Sequence, residues 1–168
     1  MSASVADADI LFAEHQPGVF RYLCRVIGHA EAARDLTQEV FLRVSRASAP
    51  ATSGDERRAW VFSIARNLAL NHLRDRRRQP IAVPLVETSY PATQELGVAL
   101  HEALGMLSDI DRDVFLMRES GGLSYDEVAS ACEITVDAVR SRLHRARQHL
   151  REQLTSSLSA HVARGIRL

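Results

Sequence analysis

The sequence has no lysine, only two cysteines and few aromatic residues. All 21 basic residues are arginines, and 21 acidic residues balance them to a net charge of zero. Aromatic residues make up 5% of the chain, with Trp60 as the single tryptophan. Cys24 and Cys132 lie far apart in apolar helical patterns, which favours buried free thiols over a disulfide, a redox switch or a structural zinc site.

Long apolar runs are missing as well. No segment approaches the roughly 20 apolar residues that cross a bilayer. The N-terminal residues are acidic, whereas a signal peptide would be basic there. We therefore expect a cytoplasmic protein without membrane insertion.

Motifs for catalysis and ligand binding are also absent. The sequence has no HExxH, no glycine-rich phosphate loop and no nucleophile elbow. Asp109, Asp111 and Asp113 imitate the start of a calcium loop, but Val114 and Ser120 occupy the positions that need Gly and Glu. Helix capping is the better interpretation of these aspartates. We expect no enzyme activity, no metal, no cofactor and no small-molecule substrate.

The arginines that are present cluster in two blocks on either side of an acidic middle segment. The first block comprises Arg57, Arg58, Arg66, Arg74, Arg76, Arg77 and Arg78, and the second Arg140, Arg142, Arg145, Arg147 and Arg151. Two separate positive surfaces indicate two contacts with one polyanion.

The second block belongs to a predicted helix-turn-helix. Ser124 and Glu127 have the spacing of a capping box, which predicts a helix from about Tyr125. Thr135 can cap a second helix that begins near Val136. This second helix has an apolar stripe and a basic outer face, as expected of a helix that enters the major groove of DNA. The alternative is a helical hairpin whose arginines are only solvated.

Apolar residues recur at helical spacing along the rest of the chain, which predicts an all-α fold of two small bundles on a tether. Residues 1–78 form the first bundle, in which Pro17 should kink or split the first helix. Its second and third helices are predicted from Glu31 to Ala47 and from about Glu56 to Arg76, with an exposed loop over residues 48–55.

The remaining segments follow from proline and apolar spacing. Residues 79–93 contain three prolines and are predicted to form a linker. Residues 94–154 are predicted to form the second bundle, with helices resuming near Thr93 and with Ser108 capping the next helix. Residues 155–168 form a tail without a motif.

Four segments resemble parts of bacterial RNA polymerase sigma factors. The segment Asp35-Leu-Thr-Gln-Glu-Val-Phe-Leu-Arg43 resembles their core-binding signature, and residues 58–78, 122–129 and 139–147 extend the match in the family's order. Together they resemble the extracytoplasmic-function (ECF) group of the sigma-70 family, whose members have two domains, called region 2 and region 4. The resemblance covers about residues 10–154.

The resemblance implies three binding surfaces and two macromolecular targets. Core RNA polymerase would bind Asp35, Gln38, Glu39 and Arg43. The −10 promoter element would contact the loop residues Ser48, Thr52, Ser53 and Asp55 and the helix residues Arg66, Asn67, Asn71, His72, Arg74, Arg76, Arg77 and Arg78. The −35 element would contact Arg140, Ser141, Arg142, His144, Arg145, Arg147 and Gln148. The family is commonly inhibited by an anti-sigma factor, so such a partner is expected.

Within the −35 set, Arg140, Ser141 and His144 are the candidates for base edges, whereas the other arginines are expected to grip phosphates. The sequence departs from the family at Asn71, where many members carry Asp, and at Glu133, where Gly is common in the turn. The alternative function is a stand-alone helix-turn-helix transcriptional regulator. A helical RNA-binding or adaptor protein is a third hypothesis, which rests on arginine content alone.

Overall fold

The computed structural model describes residues 5–47, 54–78 and 91–165, and over these residues the chain is helical, with turns and caps between helices. The helices are α1 (Val5–Ile27), α2 (Ala30–Arg46), α3 (Gly54–Arg78), α4 (Pro91–Gly105), α5 (Asp109–Glu119), α6 (Tyr125–Cys132) and α7 (Val136–Gly165). The predicted all-α fold is confirmed.

Helices α1, α2 and α3 pack against one another around an apolar centre. α2 contributes Val40 and Val44, which are buried one helical turn apart. α1 runs unbroken through Pro17, so the predicted split of this helix is wrong. The helix ends at Gly28, whose φ of +71° suits glycine, and the His29 imidazole then accepts a hydrogen bond from the Ala32 N–H at the start of α2.

Helix α3 is longer than the sequence pattern predicted. It begins at Gly54, so Asp55 and Glu56 lie in its first turn, where negative side chains favour the positive end of the helix dipole. It continues through Arg78, two residues past the predicted end. Trp60 is partly buried against the core.

Helices α4 to α7 form the second group. α4 begins with Pro91, a residue suited to the first helical turn because that turn leaves its N–H groups unpaired. The Ser108 hydroxyl caps α5 by accepting a hydrogen bond from the Asp111 N–H. α7 is 30 residues long and buries Val139, Leu143 and Leu150 against α4, α5 and α6.

The two groups of helices pack directly against each other. α3 lies along α6, and α1 contacts α5. As a result, buried residues of both groups form one continuous apolar cluster. The predicted linker over residues 79–93 lies mostly outside the described residues, which resume with α4 at Pro91.

Candidate polymerase and promoter-DNA interfaces

The polar face of α2 is the predicted polymerase surface. Asp35, Gln38 and Arg43 are exposed on it, and Glu39 is half-buried. Arg43 Nε donates to Glu39 Oε1 over 2.7 Å, as residues four apart on a helix can. The four predicted residues are therefore brought together on the side of α2 opposite its buried stripe.

Leu42 also lies on this surface, although it is not among the predicted polymerase-binding residues. Its side chain is 47% exposed on α2, between the exposed polar residues and away from the core. It is three residues from Glu39 and four from Gln38, so the three share one face. An apolar residue outside the buried stripe was the available signal, because apolar centres surrounded by polar groups are typical of binding surfaces.

The polar face of α3 carries most of the predicted −10 residues. Asn67, Asn71, Arg74, Arg77 and Arg78 are exposed along it, whereas His72 and Arg76 are half-buried. Arg74 donates a hydrogen bond to the Asn71 side chain, which holds an amide and a guanidinium side by side. Such a pair can serve a base edge and a neighbouring phosphate.

Three predicted loop residues cannot be located on this surface. Ser48, Thr52 and Ser53 lie outside the described residues. Asp55, which was predicted in the same loop, instead lies exposed in the first turn of α3.

His72 differs in character from its arginine neighbours. Burial lowers its pKa, the charge of Arg76 lowers it further, and Asp75 acts in the opposite direction. Its Nε2 is buried without a hydrogen-bond partner in the structure. His72 is therefore neutral near pH 7 and does not provide a positive charge for a phosphate.

Arg66, a predicted −10 residue, pairs with a buried aspartate of the second group of helices. Its Nε donates to Asp113 Oδ2 of α5 over 2.9 Å, and the Asp113 side chain is only 1% exposed. The Tyr22 hydroxyl donates to the other carboxylate oxygen over 3.0 Å. Burial raises the pKa of Asp113, although the charge of Arg66 opposes this change. The arginine thus contacts the other group of helices in this conformation.

The helix-turn-helix is assembled from local caps. The Ser124 hydroxyl accepts from the Glu127 N–H, and the Glu127 carboxylate accepts from the Ser124 N–H, so the predicted capping box is confirmed. The Thr135 hydroxyl accepts from the Ala138 N–H at the start of α7. Between the helices, Glu133 has φ 56° and ψ 44°, the left-handed conformation that glycine adopts more readily.

The outer face of α7 presents the predicted −35 residues. Arg140, Ser141, His144, Arg145, Arg147 and Gln148 are all exposed. Together with Tyr125 of α6, several of them line a groove of about 520 Å³. Arg140 Nη1 lies 2.7 Å from Asp137 Oδ1, and Arg147 Nη2 lies 2.6 Å from Glu119 Oε1. A neighbouring carboxylate therefore orients each of the two guanidinium groups on the protein surface.

Arg142 is the exception among the predicted −35 residues. It is half-buried, and its Nη1 donates to Asp111 Oδ1 on α5 over 2.8 Å. Asp109 pairs with Arg112 in the same region, so each of the three clustered aspartates has an arginine partner within the protein. Across the described ranges, no group of three His, Cys, Asp or Glu residues could hold a metal ion.

Two protein families match this chain, one over the first group of helices and the other over the second group. Residues 11–79 match the family described as Sigma-70 region 2, and residues 97–150 match the family described as Sigma-70, region 4. The chain belongs to the sigma-70 family. Its relatives place it in the ECF group of that family, as the resemblance implied. This ECF sigma factor acts in promoter-specific transcription initiation with core RNA polymerase.

Individual relatives cover most of this ECF sigma factor. It is 32% identical over 169 residues to the ECF RNA polymerase sigma factor SigE of Mycolicibacterium smegmatis, covering 94% of the chain and 65% of the relative. It is 32% identical over 161 residues to the sigma factor CarQ of Myxococcus xanthus, covering 92% of both. The structure of CnrH in complex with the cytosolic domain of CnrY aligns with a TM-score of 0.68 at 26% identity, over 92% of both chains.

Among the described residues, no helix combines the length and apolar character needed to span a membrane.

Proposed function

We propose that this ECF sigma factor holds core RNA polymerase through the polar face of α2 and recognises its promoter through α3 and α7. In this assignment, residues 1–78 and residues 94–154 are the functional units, and residues 79–93 link them. The observation that carries the proposal is the placement of exposed polar faces on three different helices, each opposite a buried apolar stripe.

The −10 element is assigned to the exposed part of α3. Asn67 and Asn71 can hydrogen-bond base edges, and Arg74 lies beside them. Arg77 and Arg78 extend the positive charge to the end of the helix, where they would release counterions from phosphates. The loop residues Ser48, Thr52 and Ser53 remain part of this proposed site, as the family resemblance implies.

The −35 element is assigned to the outer face of α7. Arg140 and His144 lie in the first three turns of this helix, and the N-terminal residues of a recognition helix are the ones that face bases in the major groove. Arg145 and Arg147 lie farther along the helix and would grip phosphates. Because Arg142 contacts Asp111, it holds α7 in place and is a weaker candidate for DNA contact.

Run-off transcription tests the function. Core polymerase would be supplied with this chain and with a promoter selected from random DNA by the assembled holoenzyme. We expect promoter-dependent transcripts only when the chain is present. Core polymerase that gives the same transcripts with and without folded protein would contradict the proposal.

A gel-shift experiment separates this function from that of a stand-alone regulator. A sigma factor is expected to shift the selected promoter strongly only in the presence of core polymerase. The regulator would dimerise and shift the same DNA by itself. Tight, specific binding by the chain without polymerase would therefore favour the alternative.

A protein inhibitor is a further part of the proposal. The related CnrH was solved with the cytosolic domain of CnrY. The sigma factor RpoE of Bartonella quintana, which has a similar fold, was solved with the anti-sigma factor NepR. On this basis we propose an anti-sigma partner for this chain. Transcription takes place where the chromosome and the polymerase are, so we also propose a cytoplasmic location. The chain would act without catalysing a reaction of its own, because the polymerase supplies the catalytic chemistry.

A further inference from the structure

Arg147 of α7 interacts with residues of the two helices that precede it. Its Nη2 donates to Glu119 Oε1 of α5 over 2.6 Å. This hydrogen bond raises the pKa of Arg147, and Tyr125 of α6 contributes in the same direction, whereas burial acts in the opposite direction. The direction of one guanidinium on the recognition helix is therefore set from α5 and α6.

Tyr125 is itself fixed in place beside Arg147. Its side chain packs partly buried against the apolar cluster. Arg118 Cζ lies 5.3 Å from the centre of the Tyr125 ring, a distance typical of a cation–π contact. Arg118 Nη1 also donates to the Leu123 carbonyl over 2.9 Å. Tyr125 and Arg147 both line the groove on the outer face of α7, so Arg147 lies against a well-ordered edge of that groove.

Glu119 occupies a position that is unfavourable for a carboxylate. It is the last residue of α5, and the C-terminal end of a helix dipole repels negative charge. It also lies 2.6 Å from a residue that lines the groove assigned to DNA, where a negative charge repels phosphates. Its side chain is 44% exposed, so its ion pair adds little to stability. A residue that opposes local preferences without such a gain is typical of a functional site.

The pair differs from the other ion pairs of α7. Arg140 is paired with Asp137, three residues earlier on the same helix. Arg142 is paired with a residue of α5 but is half-buried. Arg147 is also paired with a residue of α5, yet its side chain is 46% exposed. It therefore combines a direction fixed by another helix with access to DNA.

An exposed arginine loses rotamer freedom when it binds a phosphate, and a side chain that is already oriented loses less. The bond to Glu119 uses only one of the N–H donors of the guanidinium, so others remain for a phosphate. We propose that Glu119 is a positioning residue, which holds the Arg147 guanidinium in the direction needed to contact the DNA backbone at the −35 element. This inference rests on the proposed function of α7.

Three single substitutions and one double variant test the role of Glu119. Glu119→Ala removes the acceptor, whereas Glu119→Gln removes the charge but keeps an oxygen that can accept from Arg147. Arg147→Ala is combined with Glu119→Ala in the double variant. Asp126→Ala is the matched control, because Asp126 is an exposed acidic residue next to Tyr125 and, among the described residues, forms no ion pair with an arginine.

The measurement is holoenzyme affinity for the selected promoter and for a shortened promoter that ends downstream of the −35 element. On the full promoter, Glu119→Ala should bind about three- to tenfold more weakly than the wild type, and Glu119→Gln should recover most of this loss. Simple charge repulsion predicts the opposite sign, because removing a carboxylate would tighten binding. Asp126→Ala should bind as tightly as the wild type or more tightly.

Two comparisons assign the effect to Arg147. The loss caused by Glu119→Ala should vanish on the shortened promoter, and it should be absent when Arg147 is already alanine. A loss that persists in either case would overturn the inference, as would a Glu119→Ala variant that binds as tightly as the wild type.

A Glu119→Gln variant as weak as Glu119→Ala would overturn the hydrogen bond as the cause. Thermal unfolding of each free chain shows whether a variant is folded, and we expect similar melting temperatures throughout. A wild-type holoenzyme that binds both promoters equally would instead contradict the proposed −35 function of α7, and the role of Glu119 with it.

Discussion

Arg142 on α7 donates a hydrogen bond to Asp111 on α5, with 2.8 Å between Arg142 Nη1 and Asp111 Oδ1. Arg145, one turn farther along α7, is 3.9 Å from the same carboxylate atom and is far more exposed. The first contact determines the rotation of the recognition helix against its support. The second contact is longer and involves an exposed side chain, so we expect the Arg145 guanidinium to remain accessible to DNA.

This difference predicts that alanine substitutions of the two arginines have different effects, one on stability and the other on DNA binding. Arg142→Ala should lower the free energy of unfolding by about 1 kcal/mol, because it removes a half-buried ion pair between helices. Arg145→Ala should leave stability unchanged and reduce the salt dependence of DNA binding by about one counterion. Thermal unfolding and salt titrations of the holoenzyme–promoter complex measure these effects. Equal loss of stability in both variants would show that the Asp111 contact is not specific to Arg142.

Arg140 is expected to read a base of the −35 element. If its guanidinium makes a bidentate contact with guanine, Arg140→Ala should cost roughly 1–3 kcal/mol of discrimination at one promoter position. The measurement is holoenzyme affinity for a panel of single-base promoter variants. A uniform loss across the panel would instead make Arg140 a phosphate contact.

Glu39 is expected to contribute to polymerase binding. Glu39→Ala removes a carboxylate and the partner of Arg43 from the polar face of α2, so association with core polymerase should weaken several-fold. The fold should remain intact, because an exposed pair between residues four apart contributes only about 0.5 kcal/mol. Binding to core polymerase and circular dichroism check both parts.

Glu31→Ala provides the matched control for Glu39. Glu31 is an exposed glutamate in the first turn of the same helix and lies outside the predicted polymerase set. Its removal should leave polymerase binding close to that of the wild type. If both variants bind equally weakly, the effect is one of overall charge and not of the proposed surface.

The left-handed turn at Glu133 predicts a stabilising substitution. Glycine avoids the steric cost that a side chain has in this conformation, which is roughly 1–2 kcal/mol. Glu133→Gly should therefore raise the free energy of unfolding by up to about 1 kcal/mol, since glycine also gains entropy in the unfolded chain. Chemical denaturation measures this change. A destabilised variant would mean that the Glu133 side chain has a favourable role that outweighs its backbone conformation.

His101 predicts a loss of stability in mild acid. Burial lowers its pKa, the charges of Arg112 and Arg76 lower it further, and Glu102 acts in the opposite direction. A histidine whose pKa is lowered by folding stabilises the fold at pH values above the pKa of an unfolded histidine, which is about 6.5. This contribution is lost as the pH falls towards the pKa in the folded chain. The melting temperature of the wild type should therefore fall more steeply below about pH 6.5 than that of His101→Gln. Parallel pH profiles would contradict this assignment.

The helix caps and helix starts could be predicted from the sequence, because they depend on residues that are close together in the chain. Ser108, Ser124 and Thr135 were each predicted as caps, and each hydroxyl accepts a hydrogen bond from the N–H three residues later. The starts of α6 and α7 were predicted for the same reason. Pro17 was the exception, because the surrounding helix continues through it despite the missing N–H group.

The orientation of individual arginines could not be predicted in this way. Arg66 and Arg142 each stand in a basic pattern that is typical of DNA-binding helices, yet each pairs with an aspartate on α5. Their partners are 47 and 31 residues away in the chain. Periodicity cannot identify such pairs, because it describes a single helix and not the one packed against it.

The amino-acid sequence by itself therefore determined the helices, their caps, the separation of the basic residues into two blocks and the resemblance to the sigma-70 family. These features arise from local hydrogen bonding and from the spacing of apolar side chains. The tertiary structure decided which arginines remain exposed and that the two groups of helices close upon each other. Those outcomes depend on contacts between residues far apart in the chain, where burial and charge pairing act only after the helices have packed.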